Sequence, residues 1–247
     1  MVSYDRTSGI NIGDVTFSMR HIQCPKDVLS SDEFDTVLED VVSVAADAFG
    51  RIIDDAFRND VCNHIARTEH LLLLYHHEEL VAFRIWDFVA LNITQDVLYL
   101  GGMCVRQAWQ GQGIGQALLD HVLHVDAYRQ IHSVDQICAL PQCTFVIMRT
   151  QNPIMKHCLD NVMGGVSYPE IVDGSIPQDV RHAARCVANH LGDENLDEYT
   201  LISTGVYGDT LYGEDYNHTR LKPLTADSPF VRIDAAAGDA LYCVWRR

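Results

Sequence analysis

The chain is short of basic residues. It has 18 Lys and Arg against 34 Asp and Glu, which gives a formal net charge of −16 at pH 7. Such a field repels the phosphate backbone of nucleic acids and the headgroups of anionic membranes. We therefore expect no nucleic-acid partner, and the charge favours a substrate that is cationic in solution.

Long apolar runs are also missing. No segment of the 247 residues approaches the roughly 20 apolar residues that a membrane-spanning helix needs, so we expect no membrane partner. Residues 1–6 lack the basic and then apolar layout of a secretory signal. Together these absences predict a cytoplasmic location.

Metal-ligand and disulfide patterns are absent as well. The eight cysteines contain no Cys-x-x-Cys pair and are irregularly spaced, which is typical of small buried side chains in a reducing compartment. Two histidine groups stand out, His121 with His124 and His76 with His77. Neither group supplies the three or four converging ligands that zinc requires. We expect no metal cofactor.

The sequence does contain a glycine-rich turn between an apolar strand and an amphipathic helix. The strand is predicted over residues 97–105, and the helix from Gly115 to about Arg129. Glycines adopt backbone angles that side chains forbid, and they let the main chain approach a ligand closely. A helix that begins directly after such a turn points its free N–H groups at an anion, most often a phosphate. The turn reads Gln110-Gly111-Gln112-Gly113-Ile114-Gly115.

The spacing of these glycines distinguishes between phosphate-binding turns. It does not fit Gly-x-x-x-x-Gly-Lys-Ser/Thr, which excludes a nucleoside triphosphate loop. It does not fit Gly-x-Gly-x-x-Gly, which excludes a dinucleotide fold. It matches Gln/Arg-x-x-Gly-x-Gly/Ala, with Gln110, Gly113 and Gly115 in the diagnostic places. From Met103 to about Val125 the chain resembles the GCN5-related N-acetyltransferase (GNAT) superfamily.

The resemblance implies acetyl-coenzyme A (acetyl-CoA) as the co-substrate. In that family the loop holds the pyrophosphate, and backbone groups at the end of the preceding strand pair with the pantetheine arm. An Asn after a later strand is also common. The cofactor-binding residues expected on this ground are Met103, Cys104, Val105, Gln110, Gly111, Gln112, Gly113, Ile114, Gly115, Gln116 and Asn152.

The order of the other predicted elements agrees with this family. Apolar periodicity, capping residues and turn signals predict one strand, two helices and three strands before the loop. These elements cover residues 14–22, 31–50, 53–66, 71–75, 80–90 and 97–105. After the loop we predict strands over 143–150, 165–168 and 240–245, and helices over 152–163 and 177–191.

These patterns predict an α/β fold of the α+β type, with a mixed, mostly antiparallel central sheet flanked by helices. We expect a single GNAT-like domain over residues 1–247. Within it, residues 1–165 form the acetyl-CoA-binding core, and residues 166–247 form a C-terminal elaboration with an extra helix and the closing strand.

The usual catalytic side chains of the family are missing from their usual positions. Relatives often carry a Glu base four residues before the strand end and a Tyr acid about seven residues after the Asn. The corresponding residues here are Tyr99 and Leu159. The candidates for a relocated base are Tyr99 acting through a water, Asp87, and Glu79 or its neighbour at the hairpin tip. Apolar neighbours would raise the pKa of Asp87, although strand alternation favours a solvent-facing position for it.

Three functions stay open at this point. The first is an acetyl-CoA-dependent N-acetyltransferase acting by direct attack of an amine, with a small cationic acceptor expected. The second is a coenzyme A sensor or partner-binding module without turnover, and the third is a protein-lysine acetyltransferase. A covalent route through Cys104 or Cys158 has no His–Cys spacing in its favour. A cation site at the aromatic and acidic residues 207–216 and a homodimer also stay open.

Overall fold

A computed structural model describes residues 5–92, 96–123, 143–208, 211–213 and 224–246 of the chain. Its residues cluster into two compact units, which are described separately below. The first unit comprises Met1–Asp87, Gly101–Leu118 and Tyr212–Asn217. The second comprises Phe88–Leu100, Leu119–Leu211 and His218–Arg247.

The strands and helices have the following bounds in the described residues. The strands are β1 (Asp5–Ile12), β2 (Val15–Gln23), β3 (His70–His76), β4 (Glu79–Ala90), β5 (Asp96–Val105), β6 (Phe145–Thr150), β7 (Leu196–Asp197), β8 (Ile202–Ser203) and β9 (Ala240–Arg246). The helices are α1 (Pro25–Val28), α2 (Ser31–Phe49), α3 (Asp55–Arg67), α4 (Ile114–Leu123), α5 (Pro153–Met163) and α6 (Gln178–Leu191).

In the first unit the strands are ordered β1-β2-β3-β4-β5. Strands β1 to β4 pair antiparallel with their neighbours. Helices α2 and α3 pack on this sheet through a buried aliphatic core, to which α2 contributes Val37, Val41 and Val44. Helix α2 starts at a complete capping box between Ser30 and Glu33, and it ends at Gly50 in the left-handed conformation.

In the second unit the strand order is β5-β6-β9-β8-β7. Residues 97–100 of β5 run parallel to residues 145–148 of β6, and the register ends there. Strand β9 pairs antiparallel with β6 and with β8. Helix α6 covers this sheet with Val180, Ala183, Ala184 and Val187, which are all fully buried. Small residues at helical spacing let the helix lie close to the strands.

The predicted fold class is confirmed, because mixed strands flanked by helices make up both units. One predicted element differs: residues 165–168 form no strand, and only Tyr168 makes an isolated bridge to Val244. Helix α4 is described as far as Leu123, so its predicted continuation to Arg129 lies outside the described residues. The single domain and its division at residue 165 stay predictions. No helix within the described ranges has both the length and the apolar character needed to cross a membrane.

Candidate active site

The glycine-rich turn joins β5 to α4, as predicted. Two of its glycines have a backbone conformation that favours glycine, and the third lies close to a side chain of β5. Gly111 and Gly113 have φ of 80° and 85°, a conformation that side chains rarely adopt. Gly115 lies in the first turn of α4, where an added Cβ would come within 3.0 Å of the Met103 Cε. A side chain at this position would require the Met103 methyl group to shift.

The glutamines of the turn stabilise it from within. Gln110 donates from its Nε2 to the Val105 carbonyl at 2.8 Å, which ties the turn back to the end of β5. Gln112 donates to the Ala108 carbonyl at 3.0 Å. Both carboxamides are thus used to hold the backbone. The diagnostic glutamine of the motif acts here as a positioning group for the loop.

The turn is also anchored to helix α2. The Gln107 backbone N–H donates to Asp47 Oδ2 at 2.6 Å, and the Gln107 side chain donates to the Asp47 carbonyl at 2.8 Å. Arg106 donates to the Leu80 carbonyl at 2.8 Å and to the Ser43 hydroxyl at 3.1 Å. These contacts fix the start of the segment between β5 and the glycines.

The N-terminus of α4 has the features of an anion site. Gly111, Gln112 and Gly113 are exposed, whereas Ile114 and Leu118 are buried and hold the helix in place. The first N–H groups of any helix have no acceptor within the helix and carry the positive end of its dipole. No acidic residue lies in the first turn to compete with a bound anion. The arrangement fits an anion such as a pyrophosphate, and the binding role of the turn stays a prediction.

The end of β5 offers its backbone and buries its thiol. Cys104 is 3 % exposed and points into the core between the sheet and α2. Burial raises the pKa of this thiol well above its ordinary value, so it stays protonated and is a poor nucleophile. The Arg84 guanidinium donates to the sulfur of the neighbouring Met103, with 3.0 Å between Nη1 and Sδ.

Two candidate bases lie in the first unit, and both have partners. Asp87 is 8 % exposed, and its Oδ1 accepts from the Glu69 backbone N–H at 2.5 Å and from the Thr68 hydroxyl at 3.2 Å. Glu79 is exposed at the start of β4, and it lies 3.5 Å from Arg106. The expected solvent-facing position of Asp87 is therefore wrong, because its carboxylate caps a backbone donor inside the protein.

The third candidate, Tyr99, lies in the second unit within a buried polar network. Tyr99 is 7 % exposed and is paired with Ile147 in the parallel register. Arg149 follows two residues later on the same face of β6, opposite Tyr242 of β9. Burial alone would lower the pKa of Arg149. The hydroxyls of Tyr207, Tyr99 and Tyr242 outweigh that effect and raise it.

The network has Asp193 at its centre. Its carboxylate accepts from the Tyr242 hydroxyl at 2.7 Å, the Ser203 hydroxyl at 2.6 Å and the Asn195 backbone N–H at 3.1 Å. Arg149 donates to it at 3.3 Å. Burial alone would raise the pKa of Asp193, but these hydrogen bonds and the Arg149 cation hold it below its ordinary value.

Sequence reasoning did not single out this network. Arg149 could have been noticed, because it is the one charged residue in the otherwise apolar and polar run 143–150. Asp193 could not have been identified from the sequence, because it lies 44 residues away from Arg149. It also follows the end of a helix, where an acidic residue is not unusual.

The remaining predicted site residues lie around α5. Asn152 caps this helix by accepting from the Ile154 backbone N–H at 2.9 Å. Leu159, at the position where relatives often carry a Tyr, is completely buried. Cys158 is partly buried on the same helix.

Some predicted features lie partly outside the described residues. His124 and residues 209, 210 and 214–216 of the aromatic and acidic segment belong to these. Within the described part of the chain, no group of three or more His, Cys, Asp or Glu residues could hold a metal ion.

Comparisons with known proteins find distant similarities. Among solved structures, a GCN5-related N-acetyltransferase from Kribbella flavida is 18 % identical with a TM-score of 0.37, covering 57 % of this chain and 32 % of its own. An acyl-CoA N-acyltransferase from Pseudomonas aeruginosa is 14 % identical with a TM-score of 0.41, covering 61 % and 89 %. Escherichia coli ElaA is 14 % identical with a TM-score of 0.42, covering 65 % and 95 %.

These likenesses are distant, and the chain spans only about a third of the Kribbella flavida protein. No curated protein matches the chain. Residues 67–148 match the family model of the acetyltransferase (GNAT) domain, which supports an N-acetyltransferase. The matched segment contains the glycine-rich turn, both flanking elements and Tyr99.

Proposed function

We propose that this protein is an acetyl-CoA-dependent N-acetyltransferase that acts on a small amine by direct attack on the thioester. The observation that carries the proposal is the exposed glycine turn at the N-terminus of α4, inside the matched segment 67–148. A turn of this geometry accommodates a pyrophosphate. Bound acetyl-CoA would supply the activated acetyl group.

The residues around the turn would have separate binding roles. The N–H groups from Gly113 to Gln116 would bind the pyrophosphate oxygens, because the first turn of a helix leaves them without internal acceptors. The register of β5 with β6 ends at Leu100. The backbone of Met103, Cys104 and Val105 would therefore pair with the pantetheine arm. Asn152 would stabilise the start of α5 through its cap.

Acetyl transfer to an amine requires a base that removes a proton from the ammonium group. We propose Tyr99 for this role, acting through an ordered water, because it lies beside the cationic Arg149 in a buried network. Asp87 and Glu79 stay alternatives, and both would have to act in addition to the contacts they already make.

Calorimetry with acetyl-CoA tests the binding half of the proposal, and release of coenzyme A thiol across a panel of amines tests the chemical half. Binding at micromolar concentration and thiol release above the hydrolysis background are expected. Tyr99→Phe should lower kcat by about 100-fold, in the usual range for a lost acid or base. Absence of acetyl-CoA binding would overturn the proposal.

A non-catalytic coenzyme A-binding module is the second candidate. It is favoured by the completely buried Leu159 where relatives often carry an acid, and by the capping role of Asp87. Acetyl-CoA binding without thiol release from any small amine or lysine peptide would support this candidate. Release with peptides alone would instead support a protein-lysine acetyltransferase.

A further inference from the structure

Arg149 is a buried cation with one guanidinium donor that has no partner among the described residues. Its side chain is 7 % exposed at the end of β6. Among the described residues, the Arg149 Nε has no hydrogen-bond partner although it is shielded from solvent. A guanidinium carries five N–H donors, and leaving one buried without an acceptor is unfavourable.

The ion pair with Asp193 does not explain this arrangement. It consists of one contact of 3.3 Å from a terminal nitrogen, which is long for a charge-assisted hydrogen bond. Asp193 already accepts from Ser203, Tyr242 and Asn195 at 2.6–3.1 Å. Its carboxylate is thus well satisfied by neutral donors, and the paired donors of the guanidinium fork are not used on it.

The surroundings of Arg149 are hydroxyl-rich and aromatic. The Tyr207 ring lies over the guanidinium, with 5.2 Å between its centroid and the Arg149 Cζ. Tyr99 and Tyr242 flank it on the neighbouring strands of the same face. The aromatic rings exclude water from the guanidinium, while the Tyr242 hydroxyl already donates to Asp193.

The Tyr207 segment is held in place over this position. The Tyr207 N–H donates to the Gly238 carbonyl at 3.1 Å, and the Gly205 N–H donates to Asp239 at 2.9 Å. The Leu211 N–H donates to Gln151 Oε1 at 3.1 Å, two residues after Arg149. The face that carries Arg149 is therefore preorganised by the C-terminal part of the chain.

We propose that Arg149 binds a carboxylate of the acceptor, so that the acceptor is an amino-acid-like molecule with both an amine and a carboxylate. The inference rests on the proposed function, since it places the carboxylate next to Tyr99, the proposed base. A planar carboxylate suits the paired donors of an arginine fork. A phosphate would bring a second negative charge close to the buried Asp193, which disfavours it.

Matched acceptors test this with the wild-type protein. Thiol release is measured with phenylalanine, its amide and phenethylamine, and with lysine, its amide and cadaverine. The amides keep the carbon skeleton but remove the negative charge. We expect kcat/KM to be at least about tenfold higher for each acid, with the difference mainly in KM, because charge-assisted hydrogen bonds contribute about 1.5–3 kcal/mol.

Variants then assign the preference to one side chain. Arg149→Gln should bring the acid-to-amide ratio of kcat/KM close to one, and Arg149→Lys should restore part of it because the charge is kept. Arg181→Gln is the matched control. Arg181 also lies over a tyrosine ring, 4.7 Å from Tyr199, and its Nε also lacks a partner among the described residues, but it belongs to helix α6.

The outcomes separate the inference from the proposed function. Thiol release with equal kcat/KM for acids and amides would overturn the inference and leave the acetyltransferase standing. A preference for acids that survives Arg149→Gln would overturn the assignment to Arg149. Absence of acetyl-CoA binding would overturn the proposed function and with it the inference. If Arg149→Gln folds poorly, the acid-to-amide ratio of kcat/KM in the wild type and in Arg149→Lys still tests the inference.

Discussion

Gly113 combines a backbone requirement with a binding role. Its φ of 85° belongs to the left-handed region, and the nearest atom to an added Cβ is the Ile12 Cγ2 at 3.9 Å. A side chain here would therefore find space but would project from the exposed turn at the proposed pyrophosphate site. We expect Gly113→Glu to lower the affinity for acetyl-CoA by at least about 100-fold, because it adds both bulk and negative charge. Isothermal calorimetry measures this.

A matched control separates local strain from binding. Gly192 ends α6 with φ of 69°, and no atom lies within 4 Å of its added Cβ. Gly192→Glu introduces the same charge and comparable backbone strain in the second unit. Its acetyl-CoA affinity should equal that of the wild type. An unchanged affinity in Gly113→Glu would count against the assignment of the loop.

Asp193 carries a buried charge that contributes to stability. Its pKa lies below the ordinary value of about 3.9 because neighbouring hydroxyls and Arg149 stabilise the charged form. A carboxyl group with a lowered pKa in the folded state contributes stability above the unfolded-state pKa, and this is lost as the pH falls through the folded-state pKa. Asp193→Asn should lower the free energy of unfolding by about 3–5 kcal/mol at neutral pH, because Arg149 stays buried without its counter-ion.

Denaturant titrations at neutral pH and at steps below about pH 4 test the Asp193 prediction. The difference in the free energy of unfolding between the wild type and Asp193→Asn should decrease as the pH falls. Asp197→Asn serves as the control, since Asp197 accepts hydrogen bonds from Tyr199 and Thr200 at the exposed surface. Equal losses in the two variants, or a difference independent of pH, would contradict the prediction.

At the scale of elements, the capping box fixes where α2 begins. The Ser30 hydroxyl accepts from the Glu33 N–H, and the Glu33 carboxylate accepts from the Ser30 N–H at 3.1 Å. Ser30→Ala should cost about 1 kcal/mol and lower the melting temperature by about 2–4 °C. Thr36→Ala is the control, because the Thr36 hydroxyl only donates to a carbonyl that the helix already uses. Equal shifts in the two variants would argue against a capping contribution.

The elements differ in how far the sequence predicts them. Helix α2 was predicted because caps and apolar periodicity both mark it, and its observed start at Ser31 agrees. Strand β1 was missed because it is polar and mostly exposed, so it lacks the alternation that reveals a half-buried strand. Strands β7 and β8 have two residues each, too few for any periodic signal.

The candidate site also has a part that the sequence predicts and a part that it does not. The glycine turn is local, so its spacing and its flanking elements could be read from consecutive residues. The Arg149 network is non-local: it joins β6, β9 and the segment after α6, and only the folded sheet brings these residues together. The predicted roles of Tyr99, Asp87 and Glu79 depend on geometry of this second kind, and they stay predictions.

At the scale of the whole molecule, acetyl-CoA should stabilise the folded chain by mass action. A ligand present at 100 times its Kd adds about 2.7 kcal/mol to the free energy of unfolding, which for a chain of this length corresponds to about 5–10 °C in melting temperature. The thioester S-acetyl-N-acetylcysteamine lacks the pyrophosphate and should give no comparable shift. Hydrogen exchange locates the effect: slowed exchange is expected at the N–H groups of residues 103–105 and 113–116. A shift that persists in Gly113→Glu, or protection confined to other residues, would show that the cofactor binds elsewhere.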